Sequence, residues 1–387
     1  MVAPLRKPLL FAGHVSARLG WWQLSVRCIL AAGPLRSLDD KSSGRLLYAL
    51  MMCGPGDFSR STLNRLTDKE SNVSAAIDGW LACASQKLGN LPQAIQLYRQ
   101  AASHGPSNDG HPFSMMALML EEIHSGKTAR RIAELVDTLC LAGGEEIVLV
   151  SLGEHHLPLF DEWLEQTRKH GKGRVVAAGL DAIAVAKLRS RLPDAVIDFS
   201  SYLASDESGK LHRYSKHALW ILRTLLLREL VCHDIHVLSS DLDAFLMSDL
   251  GPMLDRFGSA DIIIQQDISI PMDVARNLGF VLCCGFMYFR PTPATKAFLK
   301  LFVDRAVVEM DDQLAINHLI HRAGISNVTR TPDALSFESL GVRWLCPAPS
   351  LVSRDFSHGA VVRHFQLYGE TIQDIRAKLG LSSPGAL

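Results

Sequence analysis

Two aspartates, Asp241 and Asp243, follow directly on the apolar run Ile235-His-Val-Leu-Ser-Ser240. In extended chain, positions i and i+2 face one side, so both carboxylates point one way and Leu242 points the other. Like charges held that close cost free energy unless a cation stands between them. Hard carboxylate oxygens suit magnesium or manganese. The same triplet also occurs as a solvated loop after a core strand. Its place at the C-terminal end of a strand, where open α/β sheets bind ligands, is what gives it weight.

The elements around the pair must deliver it. Glu145 to Leu152 reads as a strand, and Leu159 to His170 as a helix with Leu159, Phe160, Trp163 and Leu164 at apolar positions. Arg174 to Leu180 is a second strand, Asp181 caps a helix over Ala182 to Arg191, and Ala195 to Phe199 is a third strand. Strands alternating with helices at this spacing predict a parallel sheet wound by crossovers. A polar stretch, Ser200 to Arg213, precedes an apolar helix over Tyr214 to Val231. Its Leu, Ile and Trp residues cover most of its circumference, which predicts burial. It feeds the strand at 235–240, so the acid pair sits at the exit of a fourth strand. Downstream, Asp261 to Asp267 is a strand, and Gly279 to Arg290 is a strand pair or one long strand broken by Gly285. Thr292 to Val308 and Asp311 to His321 read as helices. Trp344 to Pro347 and Val361 to Phe365 are less regular.

Upstream the pattern is helical. Ala75 to Ala84 and Pro92 to Ser103 form a helix pair about a Gly89-Asn90 turn. Pro92 lies in the second helix's first turn, where its missing N–H costs nothing. Leu81, Ala82, Gly89, Leu91, Ala94, Tyr98, Ala101 and Pro106 fall where a tetratricopeptide repeat places its small and aromatic residues. Phe113 to His124, a turn at Gly126, and Ala129 to Leu141 echo the pair. Residues 42–142 are therefore expected to form a tetratricopeptide-like helical domain, either a groove for a protein partner or a cap on the next domain. Gly143-Gly144 is the hinge, and 143–387 is the α/β domain.

Residues 1–41 carry Arg6, Lys7, Arg18, Arg27 and Arg36 with no acid before Asp39. A basic, acid-poor leader fits a targeting segment, a weak signal anchor or a surface-bound helix. The 387 residues have a formal net charge of zero, which argues against nucleic acid as a partner. Eight cysteines without C-x-x-C spacing argue against a zinc module and a disulfide scaffold.

Other side chains have ordinary explanations beside chemical ones. Lys216, in the first turn of its helix, can meet donor phosphates or only solvent. Asp311 and Asp312 interact favourably with a helix dipole, and Asp181 is a cap. His155-His156 and the pair His318 and His321 read as surface polar residues. His364, after a short strand-like run, could be a ligand or a lone core histidine.

In order along the chain, the second half resembles the nucleotide-diphospho-sugar transferase family that includes plant arabinosyl- and xylosyltransferases. Lys216 stands in the helix before the metal strand. Val237-Leu-Ser-Ser-Asp-Leu-Asp-Ala-Phe-Leu-Met-Ser-Asp-Leu250 resembles the metal-site signature, and Asp261-Ile-Ile-Ile-Gln-Gln-Asp267 the next strand. Gly285-Phe-Met-Tyr-Phe-Arg-Pro-Thr292 resembles the acceptor-side segment, Asp312-Gln313 with Asn317 the Asp-Gln-x-x-x-Asn helix, and Val362-Arg-His364 with Gly369 the C-terminal histidine segment. The resemblance spans about 145–387. It implies a GT-A type fold, a UDP-sugar donor, a glycan or protein acceptor, Mn2+ or Mg2+, and retention of configuration. It further implies Asp241, Asp243 and Asp312 as catalytic residues, and His364 as third metal ligand beside Asp241 and Asp243. Lys216, Asp181, Gly285 and Gln313 are assigned to donor binding. Family members of this kind work in the Golgi lumen; organelle targeting and a cytoplasmic location remain alternatives.

The chain departs from the family at Cys283-Cys284, where an asparagine and a small polar residue usually precede the glycine. The lysine expected soon after Gly369 is not evident: Gln373 stands near that position, and Arg376 and Lys378 come later. Two other classes stay open. One is an inactive transferase-like platform that binds partners through its helices. The other is a haloacid-dehalogenase-type phosphatase, with the first aspartate as nucleophile.

Overall fold

The computed structural model describes residues 6–18, 22–32, 42, 45–47, 49–50, 57–70, 75–104, 112–202, 213–267, 270–353, 359–365 and 375. Parts of the basic leader, Pro106, most of the polar stretch 200–213, Gly369, Gln373, Arg376 and Lys378 lie outside the described residues. The chain divides into two compact units. One holds Met1–Thr128 with Val307–Met310, the other Ala129–Ala306 with Asp311–Leu387.

The described elements of the first unit are helical: Arg6–Arg18, Trp22–Ala32, Asp57–Glu70, Ala75–Lys87, Leu91–Ser103 and Pro112–His124. The Asn90 side chain accepts from the Gln93 amide at 3.4 Å and caps Leu91–Ser103, with Pro92 in the first turn. Small residues set the spacing of these helices. Ala82, Ala94 and Ala101 are fully buried, and a Cβ on Gly79 would lie 2.4 Å from the Phe113 ring. Among the described residues no helix is long and apolar enough to cross a membrane.

The second unit is mixed α/β, a GT-A-like arrangement as expected. Its strands are β1 (Glu146–Leu152), β2 (Arg174–Gly179), β3 (Val196–Asp198), β4 (His236–Ser240), β5 (Ala244–Leu246), β6 (Ile262–Asp267), β7 (Val281–Phe289), β8 (Ser326–Arg330), β9 (Ala334–Ser339), β10 (Val342–Pro347), β11 (Val352–Ser353) and β12 (Val362–His364). The main sheet has nine strands in the order β3-β2-β1-β4-β7-β6-β10-β9-β8. A smaller sheet is ordered β11-β12-β5.

Strands β3, β2, β1 and β4 run parallel, joined by the helices Leu157–His170, Ala182–Arg191 and Arg213–Cys232. This half follows the predicted winding. The other half does not. Strand β7 runs antiparallel to both β4 and β6, and β8, β9 and β10 form an antiparallel meander. All nine residues of β7 are buried. A strand covered on both faces reads as a continuous apolar run whichever way it points, so composition alone leaves its direction open. Gly285 does not break β7 into two strands. Instead the β6–β7 register jumps between Ile264, paired with Met287, and Gln265, paired with Cys283. The residues 284–286 form a bulge there, and bulges re-aim side chains near ligand sites.

Candidate active site

Neighbouring strands β1 and β4 are parallel, and their loops leave where the strand order reverses. Open α/β sheets hold ligands in such crevices. The β1 loop carries a 3-10 turn, Glu154–His156, and the β4 loop carries Asp241 and Asp243.

The acid pair does not lie in extended chain, contrary to the i, i+2 expectation. The Ala244 amide donates to the Asp241 carbonyl at 3.0 Å, closing a tight turn over 241–244. The carboxylates converge through this turn instead of through pleat alternation. Three bonds hold it. The Asp241 amide donates to Gly285 at 2.8 Å, the Phe365 amide to Asp243 at 2.8 Å, and Trp163 Nε1 to Ala244 at 2.9 Å.

His364 reaches the pair by strand pairing. β12 runs antiparallel to β5, with His364 opposite Ala244. His364 Nε2 lies 3.2 Å from Asp243 Oδ1. One ligand atom each from Asp241, Asp243 and His364 lies within 4.8 Å of the others. Two hard oxygens and one imidazole nitrogen are a donor set that fits Mn2+ or Mg2+. The imidazole Nδ1 faces Gln265 Oε1 at 2.6 Å and Cys283 Sγ at 3.9 Å. Burial disfavours charge on His364, but the Asp243 carboxylate and the Cys283 thiol outweigh it and raise its pKa to about 10.

Arg223 was missed by sequence reasoning. It lies mid-helix in Arg213–Cys232 and is buried. Its Nη1 donates to Asp241 Oδ1 at 2.6 Å, while Nε donates to Asp312 Oδ2 at 2.7 Å and Nη2 donates to the same oxygen. One guanidinium thus ties the acid pair to the helix Asp312–Ala323. Burial opposes its charge, but Asp312 and then Asp241 raise its pKa further above the ordinary arginine range. Burial also pushes the Asp312 carboxyl up to about 6, against the pull of Arg223. The signal was available: Arg223 stands between Trp220-Ile-Leu222 and Leu225-Leu-Leu227, and a charge buried in such apolar surroundings needs a partner.

The His155-His156 pair was read as surface polar, and for His156 the structure corrects this. His156 is half-buried, and its Nδ1 has no hydrogen-bond partner among the described residues. Desolvation and His155 lower its pKa, while Asp243 and Asp241 act in the opposite direction and Lys216 lowers it again. The imidazole is therefore neutral at pH 7, within electrostatic reach of the acid pair and of Lys216. Lys216 itself is exposed in the first turn of its helix.

The remaining assigned residues have structural partners. Asp181 Oδ1 accepts from the Ala184 amide at 2.7 Å as the helix cap, and Oδ2 accepts from the Glu154 amide at 2.7 Å. It therefore anchors the loop that carries His156. Gln313 Nε2 donates to the Ile270 carbonyl at 2.8 Å. Asn317 clamps Leu282, accepting from its amide at 2.8 Å and donating to its carbonyl at 2.7 Å. Asp311, not Asp312, is the helix cap; its side chain accepts from the Leu314 amide at 2.8 Å. Asp312 is thereby left free to meet Arg223. The Cys284 thiol is buried, and burial followed by Asp312 raises its pKa well above normal, so it stays protonated.

Residues 171–347 match the family model of the nucleotide-diphospho-sugar transferases, which supports a glycosyltransferase-type function. The matched span runs from just before β2 to the end of β10. It takes in Arg223, Asp241, Asp243, Gly285 and Asp312, and stops short of His364. No curated protein matches the chain.

Proposed function

We propose that the chain is a metal-dependent glycosyltransferase that moves a sugar from a nucleoside diphosphate sugar, a UDP-sugar in the first instance, to a glycan or protein acceptor with retention. The carrying observation is that Asp241, Asp243 and His364, from two distant stretches, meet at the switch point of the sheet. These three residues would hold Mn2+ or Mg2+, which as a Lewis acid neutralises charge on the leaving diphosphate. Arg223 fixes the orientation of Asp241 and Asp312 together. Asp312 is the acid beside the donor sugar, kept in one rotamer by two N–H donors. Lys216 and the neutral imidazole of His156 supply a positive charge and an N–H donor for the diphosphate oxygens. Asp181 acts indirectly, by holding the β1 loop. The UDP donor and retention rest on the family resemblance. Residues 42–142 are assigned as a helical domain offering a groove to a protein partner, and 143–387 as the transferase.

The test is hydrolysis of common UDP-sugars in Mn2+, comparing wild type with Asp243→Ala. One donor should be preferred, with turnover abolished by EDTA and reduced at least ~100-fold in the variant. UDP plus Mn2+ should raise the melting temperature of the wild type alone. Turnover of a generic phosphomonoester in place of UDP-sugars would favour the phosphatase reading. No response of the wild type to UDP and Mn2+ would leave the inactive platform.

A further inference from the structure

Gln265 lies in β6 at the bulge, with no exposed surface. Its Oε1 stands 2.6 Å from His364 Nδ1, while its Nε2 is buried with no hydrogen-bond partner among the described residues. A buried amide with an orphaned NH2 group is costly, so something must favour this orientation. The two faces of the His364 ring edge explain it. With Oε1 as acceptor, one proton is held on Nδ1, so the proton given up when a cation binds is the one on Nε2, which faces Asp243 and Asp241. With the amide reversed, Nδ1 would accept, Nε2 would carry the proton, and the ring could not act as a ligand.

We infer that Gln265 is a positioning residue that holds His364 in the Nδ1–H tautomer, so that Nε2 is presented to a divalent cation between Asp241 and Asp243. The inference rests on the metal reading proposed above. Histidine ligands commonly donate their second N–H to a carbonyl or carboxylate, and loss of that partner weakens metal binding by about 10- to 100-fold. Here an amide side chain from the central sheet takes that role. The register jump after Ile264 is what brings Gln265 opposite Cys283, the residue whose thiol also approaches Nδ1. Two elements far apart in sequence thus converge on one ring nitrogen.

The experiment is Mn2+ titration of the full chain by calorimetry, without donor or acceptor, for wild type, Gln265→Leu, Gln265→Met and Gln265→Glu. Leu and Met remove the acceptor, and Met keeps the side-chain length should Leu disturb folding. Both should bind Mn2+ about 10- to 100-fold more weakly. Glu keeps an acceptor facing Nδ1 and should bind at least as tightly as wild type. Unchanged affinity in a folded Leu or Met variant overturns the inference while leaving the metal site standing. Loss in the Glu variant as deep as in Leu also overturns it, because packing and not the acceptor would then be at issue. A wild type that binds no Mn2+ overturns the metal reading and this inference together.

Discussion

A Cβ built on Gly285 would lie 2.1 Å from His364 Cε1 and 2.7 Å from its Nε2. The missing side chain at 285 is therefore the space in which the imidazole sits. Beside the donor-binding role expected of it, Gly285 leaves the room that lets β12 bring His364 against β7 and the acid pair. Asp241 Oδ2 would also lie 2.9 Å from such a Cβ, so two of the three candidate ligands crowd this one position.

Gly285→Ala should thus damage the site more than the fold. The ring belongs to a strand-held residue and cannot swing away as a flexible chain end would. Overpacking of this kind costs about 1–3 kcal/mol. The expected result is a fall of several degrees in melting temperature together with loss of Mn2+ binding. Retention of wild-type Mn2+ affinity in the variant would show that His364 is not a ligand.

Arg223 should be a stability residue as well as a site residue. Arg223→Ala leaves Asp312, 2 % exposed, without its partner in the core. Breaking a buried pair from one side costs about 3–5 kcal/mol. Removing both charges with Arg223→Met and Asp312→Leu should recover most of that loss, since a packed apolar pair can replace a buried ion pair. Turnover should not recover. Urea unfolding separates the two effects: equal instability in the single and double variants would mean that the ion pair is not the source.

Much of this arrangement is legible in the sequence. The α/β class, the acid pair at the end of β4, the turn at Gly89-Asn90, the cap at Asp181, and the helix ends follow from periodicity and local hydrogen-bonding chemistry. These are short-range properties. What stayed hidden depends on pairing across long stretches of chain. The antiparallel insertion of β7, the β5–β12 pairing that delivers His364, and the bulge that aims Gln265 leave no local trace. Arg223 is the exception, because its apolar surroundings in one helix already required a buried partner. Asp312 was visible, but its first-turn position offered an adequate dipole explanation that concealed the contact.

His156 should affect donor affinity more than the chemical step. Its Nδ1 bonds nothing among the described residues, so His156→Ala removes little that holds the fold. One neutral hydrogen bond is worth about 0.5–1.5 kcal/mol. The KM for the UDP-sugar should therefore rise up to about tenfold, with kcat within a factor of about two. A large fall in kcat at unchanged KM would instead make His156 part of the reacting centre.

The pH profile should report Asp312. Its pKa in the folded chain, about 6, lies above the ordinary value of 3.8 because burial disfavours the charge more than Arg223 favours it. As pH falls through 6 the carboxyl takes a proton, and Arg223 loses the charge that holds it between Asp312 and Asp241. The acid limb of kcat/KM should accordingly centre near 6, well above an unperturbed aspartate. Stability runs the other way. A carboxyl with a raised folded pKa favours the folded state fully below about 3.8, and that contribution disappears as pH rises through about 6. Activity and this stability contribution should therefore cross in opposite directions over the same interval. Chemical denaturation and donor turnover measured between pH 4 and 7 test the pair, and an acid limb centred near 4 would remove Asp312 from the reaction.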